Sequence, residues 1–260
     1  MNERVEQFSL FDFNYQPSND INNYVVSLID CETAKKYIIK NHYAHGCHNA
    51  PSPCYGLFDN NKLIGVLMFA TPCSENVRAS VFGEEYKDWV IELHRLHILD
   101  LTPKNTESWF IAKCLKMLKN DNPKIKAVIS FSDSTQGHSG IVYRATHFYY
   151  CGKTGKATFY LDETGRLRHP HQNGDNITLQ KALDRGWKPV KRFSKNRYLY
   201  ILAKSKVERK KLIQMCKYKL VEGKYPKEIR WLRYLIKKQG KKCCLLLIQK
   251  TLSMTEHLLI

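Results

Sequence analysis

One short run of this 260-residue chain restricts its fold more than any other. Residues 126–131 are apolar with the composition of a strand, Ser132 and Asp133 end that strand in polar groups, and residues 137–145 follow with helical spacing. Asp133 and Ser134 are both able to cap the helix. Tyr143 then falls near the helix end, five residues before Phe148. A strand that ends in a carboxylate and feeds a helix carrying a phenol is a way to build an acyl-transfer site from one piece of chain. A plainer reading stays open beside it, in which Asp133 only caps the helix and Tyr143 only packs against Phe148.

The rest of the chain supplies elements of both kinds. Residues 24–28 read as a strand and residues 32–40 as a helix with Asp30 at its N-cap, Ala34, Ile38 and Ile39 giving the apolar stripe and His42 and Tyr43 lying just past its end. Residues 54–58 and 63–69 are strands joined by Asp59-Asn60-Asn61-Lys62, a tight-turn composition that predicts an antiparallel hairpin. Residues 89–99 alternate as a long strand with Glu92, His94, Arg95 and His97 on its polar positions. A turn leads into a helix over residues 107–118, and that strand-to-helix junction suits an anion, because unpaired amides and the positive end of the helix dipole meet there; an ordinary cap by Thr106 is the alternative. Further on, residues 157–161 read as a strand, 162–165 as a turn, 178–185 as a short helix and 228–238 as a basic amphipathic helix.

Charge is distributed unevenly. Residues 1–180 hold 19 Lys+Arg and 19 Asp+Glu, whereas residues 181–260 hold 23 and 5, so the formal net charge of +18 resides in the last third. Such asymmetry points to a polyanion partner. Lys188, Lys191, Arg192, Lys195 and Arg197 fall within ten residues and are the candidate phosphate contacts. Phe148, Tyr149, Tyr150, Trp187, Tyr198 and Tyr200 are candidates for stacking on bases, although residues 197–202 alternate first of all as a strand. Nine cysteines without a Cys-x-x-Cys pair suit a reduced, cytoplasmic setting. The apolar run at residues 245–248 is far too short for a membrane span, which needs about 18 to 20 residues. No membrane association is expected. His45, Cys47, His48 and Cys54 match no zinc spacing, and a zinc deaminase is excluded because its His-x-Glu and paired cysteines are absent.

The element order over residues 24–152 is that of the GNAT acetyltransferases, whose general-acid tyrosine has the spacing of Tyr143 and Phe148. A narrower resemblance lies in Asn41-His42-Tyr43, Glu92-Leu93-His94-Arg95-Leu96, Lys104-Asn105-Thr106-Glu107-Ser108-Trp109, the run from Ser132-Asp133 to Gly152, and Ala182-Leu183-Asp184-Arg185-Gly186-Trp187-Lys188-Pro189. In that order these segments resemble the Mom family of phage DNA-modification proteins. The resemblance implies an α+β fold with a GNAT-like mixed, mainly antiparallel central sheet flanked by helices, divided into an N-terminal arm (1–22), a GNAT-like catalytic domain (23–203) and a basic helical C-terminal extension (204–260). It implies conversion of adenine in double-stranded DNA to N6-(carbamoylmethyl)adenine, which masks phage DNA from restriction.

Carried over by motif, the catalytic set is His42, Tyr43, Arg95, Asp133 and Tyr143, with Ser108, and beside it Lys104 and Asn105, at the donor. The glycine-rich pyrophosphate loop of ordinary acetyltransferases is absent, and Lys104-Asn105-Thr106-Glu107-Ser108 stands in its place. The added group is C2H3NO; acetyl-CoA, the donor expected from the fold, brings no nitrogen, whereas glycyl-tRNA brings every atom and would make tRNA a second partner of the basic third. His42, Tyr43, Asp133 and Tyr143 also form an N/O set of the type that holds iron. A conventional N-acetyltransferase acting on a small molecule or protein and a non-catalytic DNA-binding module are the competing classes.

Overall fold

Local chemistry starts each element of the chain. In this computed structural model, which describes residues 15–72, 74–133, 140–155, 157–172, 175–192 and 194–223, Tyr24–Ile29 forms β1 and Asp30 then accepts the amide of Thr33 at 2.8 Å to open α1 (Cys31–Asn41). Ala34 and Ile38 are the fully buried residues of that helix. β2 (Cys54–Asp59) runs antiparallel to β1 and turns into β3 (Lys62–Ala70). Asn60 and Asn61 make the turn with φ of 47° and 65°, the left-handed pair that matches strand twist in a two-residue hairpin. At Gly56 on β2 an added Cβ would lie 2.6 Å from the Phe58 ring and 2.9 Å from the Ile29 and Leu63 side chains, so a larger residue there would displace all three.

The N-terminal segment is tied down where it is described. Asp59, fully buried at the hairpin, accepts the Tyr15 hydroxyl at 2.6 Å and the Ser18 amide at 2.8 Å on one oxygen, and Tyr24 donates to the Ser18 carbonyl at 2.6 Å. Residues 15–18 are the described end of the N-terminal arm expected over residues 1–22. A buried carboxylate needs donors, and residues 15–18 provide them.

After β3 comes α2 (Glu75–Phe82), then a 3-10 segment, Glu84–Trp89, and the long strand β4 (Val90–Ile98). β4 is antiparallel to β3, and α3 (Thr106–Asp121) follows it, burying Phe110, Ile111, Cys114, Leu115 and Leu118 along one stripe. Each such side chain contributes roughly 1.5–3 kcal/mol by leaving water. β5 (Ala127–Ser132) pairs with β4 in parallel through three positions, Val90 with Ala127 to Glu92 with Ile129. There the ladder stops although both strands continue, so β4 and β5 part. α4 (Ile141–Ala145) has five residues, β6 (Tyr149–Lys153) follows, and the chain returns to the sheet as β12 (Asn196–Ile201) before α6 (Lys206–Met215). The seven-stranded order is β1-β2-β3-β4-β5-β12-β6. The helix expected over 137–145 is observed from Ile141; Ser134 and Gly137 lie outside the described residues, as does the amphipathic helix expected over 228–238.

Two compact units result. The first takes in β1 to β4, α1 to α3, β5 as far as Ser130, Val142–Cys151 and the chain from Tyr198 through α6. The second holds the described residues of Phe131–Ile141 and Gly152–Arg197. It contains a three-stranded sheet in the order β11-β7-β8, built from β7 (Ala157–Leu161), β8 (Leu167–Arg168) and β11 (Lys188–Arg192). β9 (His171–Gln172) pairs with β10 (Asp175–Asn176), and α5 (Leu179–Asp184) begins where Thr178 accepts the Lys181 amide. Tyr160, Ile177 and Ala182 form its small core, with Trp187 packed against them. Asp162 organises the turn after β7, taking the Thr164 amide and hydroxyl and the Arg166 amide on one oxygen and Arg168 Nε, at 2.6 Å, on the other. Among the described residues no helix is long and apolar enough to cross a membrane.

Candidate functional site

The parting of β4 from β5 leaves backbone without a ladder partner, and side chains fill the gap. Met68 of β3 opposes Arg95 while Phe69 opposes Leu93, so β4 carries one extra residue, His94, in a bulge just past the end of its pairing with β5. The Leu93 carbonyl accepts from Ser130 Oγ at 2.9 Å, and the same oxygen lies 2.8 Å from the Tyr143 hydroxyl. Ser130 has one proton and a carbonyl only accepts, so with that proton committed to Leu93 the phenol is left to donate to Ser130. Tyr143 is buried, its ring 4.8 Å from Tyr198 and 5.3 Å from Phe148. Burial pushes its hydroxyl up to about 12; the Ser130 hydroxyl, able to turn toward a phenolate, opposes this, Tyr43 and Glu92 add to it, and Arg95 opposes.

The loop between α1 and β2 lies over this end of β4. His42 is buried, stacks on Tyr43 with ring centroids 4.3 Å apart, and accepts the Ala44 amide on Nδ1 at 3.1 Å. Tyr43 is exposed. Arg95 fastens the loop, donating from Nε to the Gly46 carbonyl at 3.0 Å and from Nη1 to the His94 carbonyl at 2.8 Å. Beside it Glu92 Oε1 lies 3.5 Å from His94 Nδ1, and the His48 ring stands edge-on to His94 at 5.9 Å. The first unit thus gathers His42, Tyr43, Arg95 and Tyr143. Asp133, half-buried one residue beyond β5, belongs to the second unit.

The residues expected to hold iron are divided between the units, His42, Tyr43 and Tyr143 in the first and Asp133 in the second. Among the described residues no three His, Cys, Asp or Glu side chains converge as a metal site needs. His42 has one ring nitrogen occupied by the Ala44 amide, and the Tyr143 oxygen is taken up with Ser130. Cys54, near the loop, is a poor ligand as well, because burial pushes its thiol up to about 12.

A cavity of 810 Å³ opens along α3 and α6. Lys104, Asn105 and Ser108 at the head of α3 line it, together with Trp109, His147 and Tyr200. Its cations are Lys104, Lys116, Lys119, Lys204, Lys206 and Arg209, and no carboxylate is among its lining residues. Asn105 adopts φ 72° and no side chain caps α3; Thr106, one alternative for that cap, is buried and donates its hydroxyl back to the Pro103 carbonyl at 2.7 Å. Ser108 Oγ donates to the Asn105 carbonyl at 3.0 Å. Arg209 reaches the Tyr149 hydroxyl at 3.0 Å.

In the second unit, Lys188 on β11 and Lys195 before β12 are exposed and Arg197 is half-buried; Lys191 and Arg192 belong to β11. Arg185 and Arg168 lie 5.2 and 5.9 Å from the Trp187 ring centre, which occupies that aromatic within its own unit. Of the other proposed stacking residues, Phe148 and Tyr198 are fully buried and serve the core of the first unit.

Of Glu92 and His94 the sequence reading said only that they occupy polar positions of the long strand and fall in a family motif, and it did not single out Ser130, nor the cavity's Lys116, Lys119, Lys204, Lys206 and Arg209 as a group. The Glu-x-His spacing on a strand was the available signal, because alternate residues share a face.

An order of strand, helix, hairpin, short helix, long strand, helix, strand and helix, with two parallel strands parting at a bulge, makes a GNAT-type α+β fold. The chain belongs to the Mom protein family, whose profile matches residues 23–227. It is similar to the methylcarbamoylase Mom of Escherichia phage Mu, 32% identical over 135 residues that make up 52% of this chain and 56% of that protein. The chain thus spans a little over half the length of the curated relative it matches. Among solved structures it is similar to an N-acetyltransferase from Staphylococcus aureus Mu50 (TM-score 0.40, 12% identity, 70% of this chain and 99% of that one). A second is the ribosomal-protein-S18-alanine N-acetyltransferase from Escherichia coli (TM-score 0.40, 8% identity, 70% and 96%).

Proposed function

We propose that this protein converts adenine in double-stranded DNA to N6-(carbamoylmethyl)adenine by transfer from an activated acyl donor, and that phage DNA so modified escapes host restriction. Membership of the Mom family and the methylcarbamoylase name of the Mu relative support the class of reaction. The observation that carries the reading is the cavity: six cations without a carboxylate, spread along α3 and over the head of α6, suit a donor held by an anionic tail. Lys104, Asn105 and Ser108 would hold that tail.

Acyl-CoA and glycyl-tRNA both carry phosphates, so the cavity chemistry is common to them. Atom accounting separates them. The product gains C2H3NO, and a glycyl ester supplies all of it, giving first an isomeric N6-glycyl adduct that must rearrange; acetyl-CoA needs both a separate nitrogen source and a two-electron oxidant, because its methyl carbon would have to exchange a C–H for a C–N bond. At the acceptor, His42, Tyr43 and Arg95 shape the pocket, Tyr143 protonates the leaving atom and Asp133 orients the amine. Lys188, Lys191, Arg192, Lys195 and Arg197 grip the DNA backbone while the base is turned out of the stack, at a cost of a few kcal/mol.

Mass spectrometry of nucleosides from DNA of cells expressing the protein tests the reading. A deoxyadenosine heavier by C2H3NO supports it, and purified protein supplied with glycyl-tRNA or with acetyl-CoA and a nitrogen source identifies the donor. DNA of unchanged mass points to a conventional acetyltransferase. DNA binding indifferent to Asp133→Ala and Tyr143→Phe, with no modification, points to a silent binding module.

A further inference from the structure

We propose that His94 is the general base of the transfer and that Glu92 is the positioning residue that sets its tautomer, an inference that rests on the DNA-adenine reading above. The His94 side chain is 11% exposed, and its Nε2 is buried with no hydrogen-bond partner among the described residues. A buried polar atom without a partner is uncommon, and active sites are where such atoms collect. Its other nitrogen, Nδ1, faces the Glu92 carboxylate at 3.5 Å. A carboxylate only accepts, so Nδ1 carries the proton and Nε2 presents its lone pair.

The backbone builds this pair. Glu92 and His94 are alternate residues on β4, and the bulge at Leu93 to Arg95 begins where β5 parts from β4. Arg95 grips the His94 carbonyl with one nitrogen and the 42–53 loop with another, holding the imidazole's peptide and its cover in place. From that loop His48 lays its ring against His94, and its own Nδ1 accepts the Ala50 amide at 3.1 Å. Among the described residues, Glu92 on its own strand and His48 on the loop face the imidazole, and Arg95 holds the carbonyl of the same residue. Tyr143 on α4 and Tyr43 on the loop share the surroundings of Glu92 and Arg95.

An adenine amine needs such a base. Its lone pair is delocalised into the purine, so the nitrogen becomes a nucleophile only as it loses a proton. In the step assigned here the amine nitrogen bonds to the donor's acyl carbon and its proton passes to His94 Nε2. The carbon–oxygen or carbon–sulfur bond to the leaving group breaks, the leaving atom keeping the electron pair and taking a proton from Tyr143, which is restored from solvent. His94 then returns its proton to solvent. No oxidant or metal is required for this balance.

The test combines nucleoside mass spectrometry with nitrogen NMR of the histidines in the full chain. His94→Asn should lower the modified fraction of plasmid DNA by roughly 10²-fold or more, the usual loss on removing a general base. In the wild-type protein His94 should show the Nδ1–H tautomer, which Glu92→Ala should shift toward Nε2–H. Unmodified DNA from wild-type cells would sink the functional reading, while the tautomer would still decide the dyad. Modification by His94→Asn within threefold of wild type, or a wild-type His94 protonated on Nε2, would overturn the proposal. If His94→Asn does not fold, the tautomer shift in Glu92→Ala decides.

Discussion

The hydroxyl oxygens of Tyr143 and Ser130 lie 2.8 Å apart, which joins α4 to β5 at the place where β5 leaves β4. Because Ser130 also bonds the Leu93 carbonyl, a single hydroxyl links the helix, the short strand and the bulged strand. This linkage gives Tyr143 a structural duty beside the chemical one proposed for it.

Tyr143→Phe should separate the two duties. Losing one buried hydrogen bond costs about 1 kcal/mol, and a chain of this size should then melt roughly 2–4 °C lower. Loss of a general acid should reduce modification by about 10²-fold or more. Since burial holds the phenol at about 12, the wild-type rate should show no falling limb from this group at neutral or mildly alkaline pH. A thermal melt and a pH–rate profile report both effects; full activity in Tyr143→Phe would leave only the structural duty.

Charge reversal in the cavity should weaken the donor rather than the chemistry. Lys104→Glu combined with Lys116→Glu should raise the donor KM roughly tenfold or more while leaving kcat near wild type, the pattern of interactions made equally in ground and transition states. Steady-state kinetics with glycyl-tRNA and with acetyl-CoA would measure it. An unchanged KM for both would detach the cavity from the donor.

DNA affinity should fall steeply with salt. Each phosphate contact contributes about 0.9 to the slope of log K against log salt, so Lys188→Ala, Lys195→Ala and Arg197→Ala should each flatten that slope by roughly one. Fluorescence anisotropy on duplex DNA between low and moderate salt would show it. A slope already flat in the wild type would remove this surface from the DNA interface.

Asp162 should give the second unit an acid-sensitive stability. Its hydrogen bonds from the Thr164 hydroxyl and Arg166 amide, and the Arg168 guanidinium, hold its carboxyl down to about 2 although burial acts the other way. An unfolded carboxylate titrates near about 3.9, so between these values the unfolded chain binds more protons and stability rises with pH. The contribution is present above about 4 and is lost as pH falls toward 2. Asp162→Asn should therefore destabilise the unit near neutrality, and its difference from wild type should shrink across that acid window. Trp187 fluorescence, from the same unit, follows the transition.

Much of the fold was legible along the chain because the relevant forces act over a few residues. Asp30 capping α1, the Asn60-Asn61 turn, the apolar stripe of α3 and the Thr178 cap of α5 are all chemistry of near neighbours. The segment holding α2 carries a weaker pattern, with Val81 and Phe82 as its buried residues. Tying residues 15–18 to Asp59 could not be foreseen, because a carboxylate at a hairpin does not announce that it will be buried.

The site was legible in its residue types and not in its geometry. Tyr143, Arg95 and His42 stood out by motif, and spacing placed Lys104, Asn105 and Ser108 at a helix head. What the letters could not convey was that α6 would bring Lys204, Lys206 and Arg209 to the same cavity, or that the 42–53 loop would cover the Glu92 and His94 pair. Strand, turn and helix preferences follow from covalent neighbours and were available from the one-dimensional chain. The bulge, the parted strands and the shared cavity arise where distant elements pack and must satisfy one another's backbone groups, which no local pattern encodes.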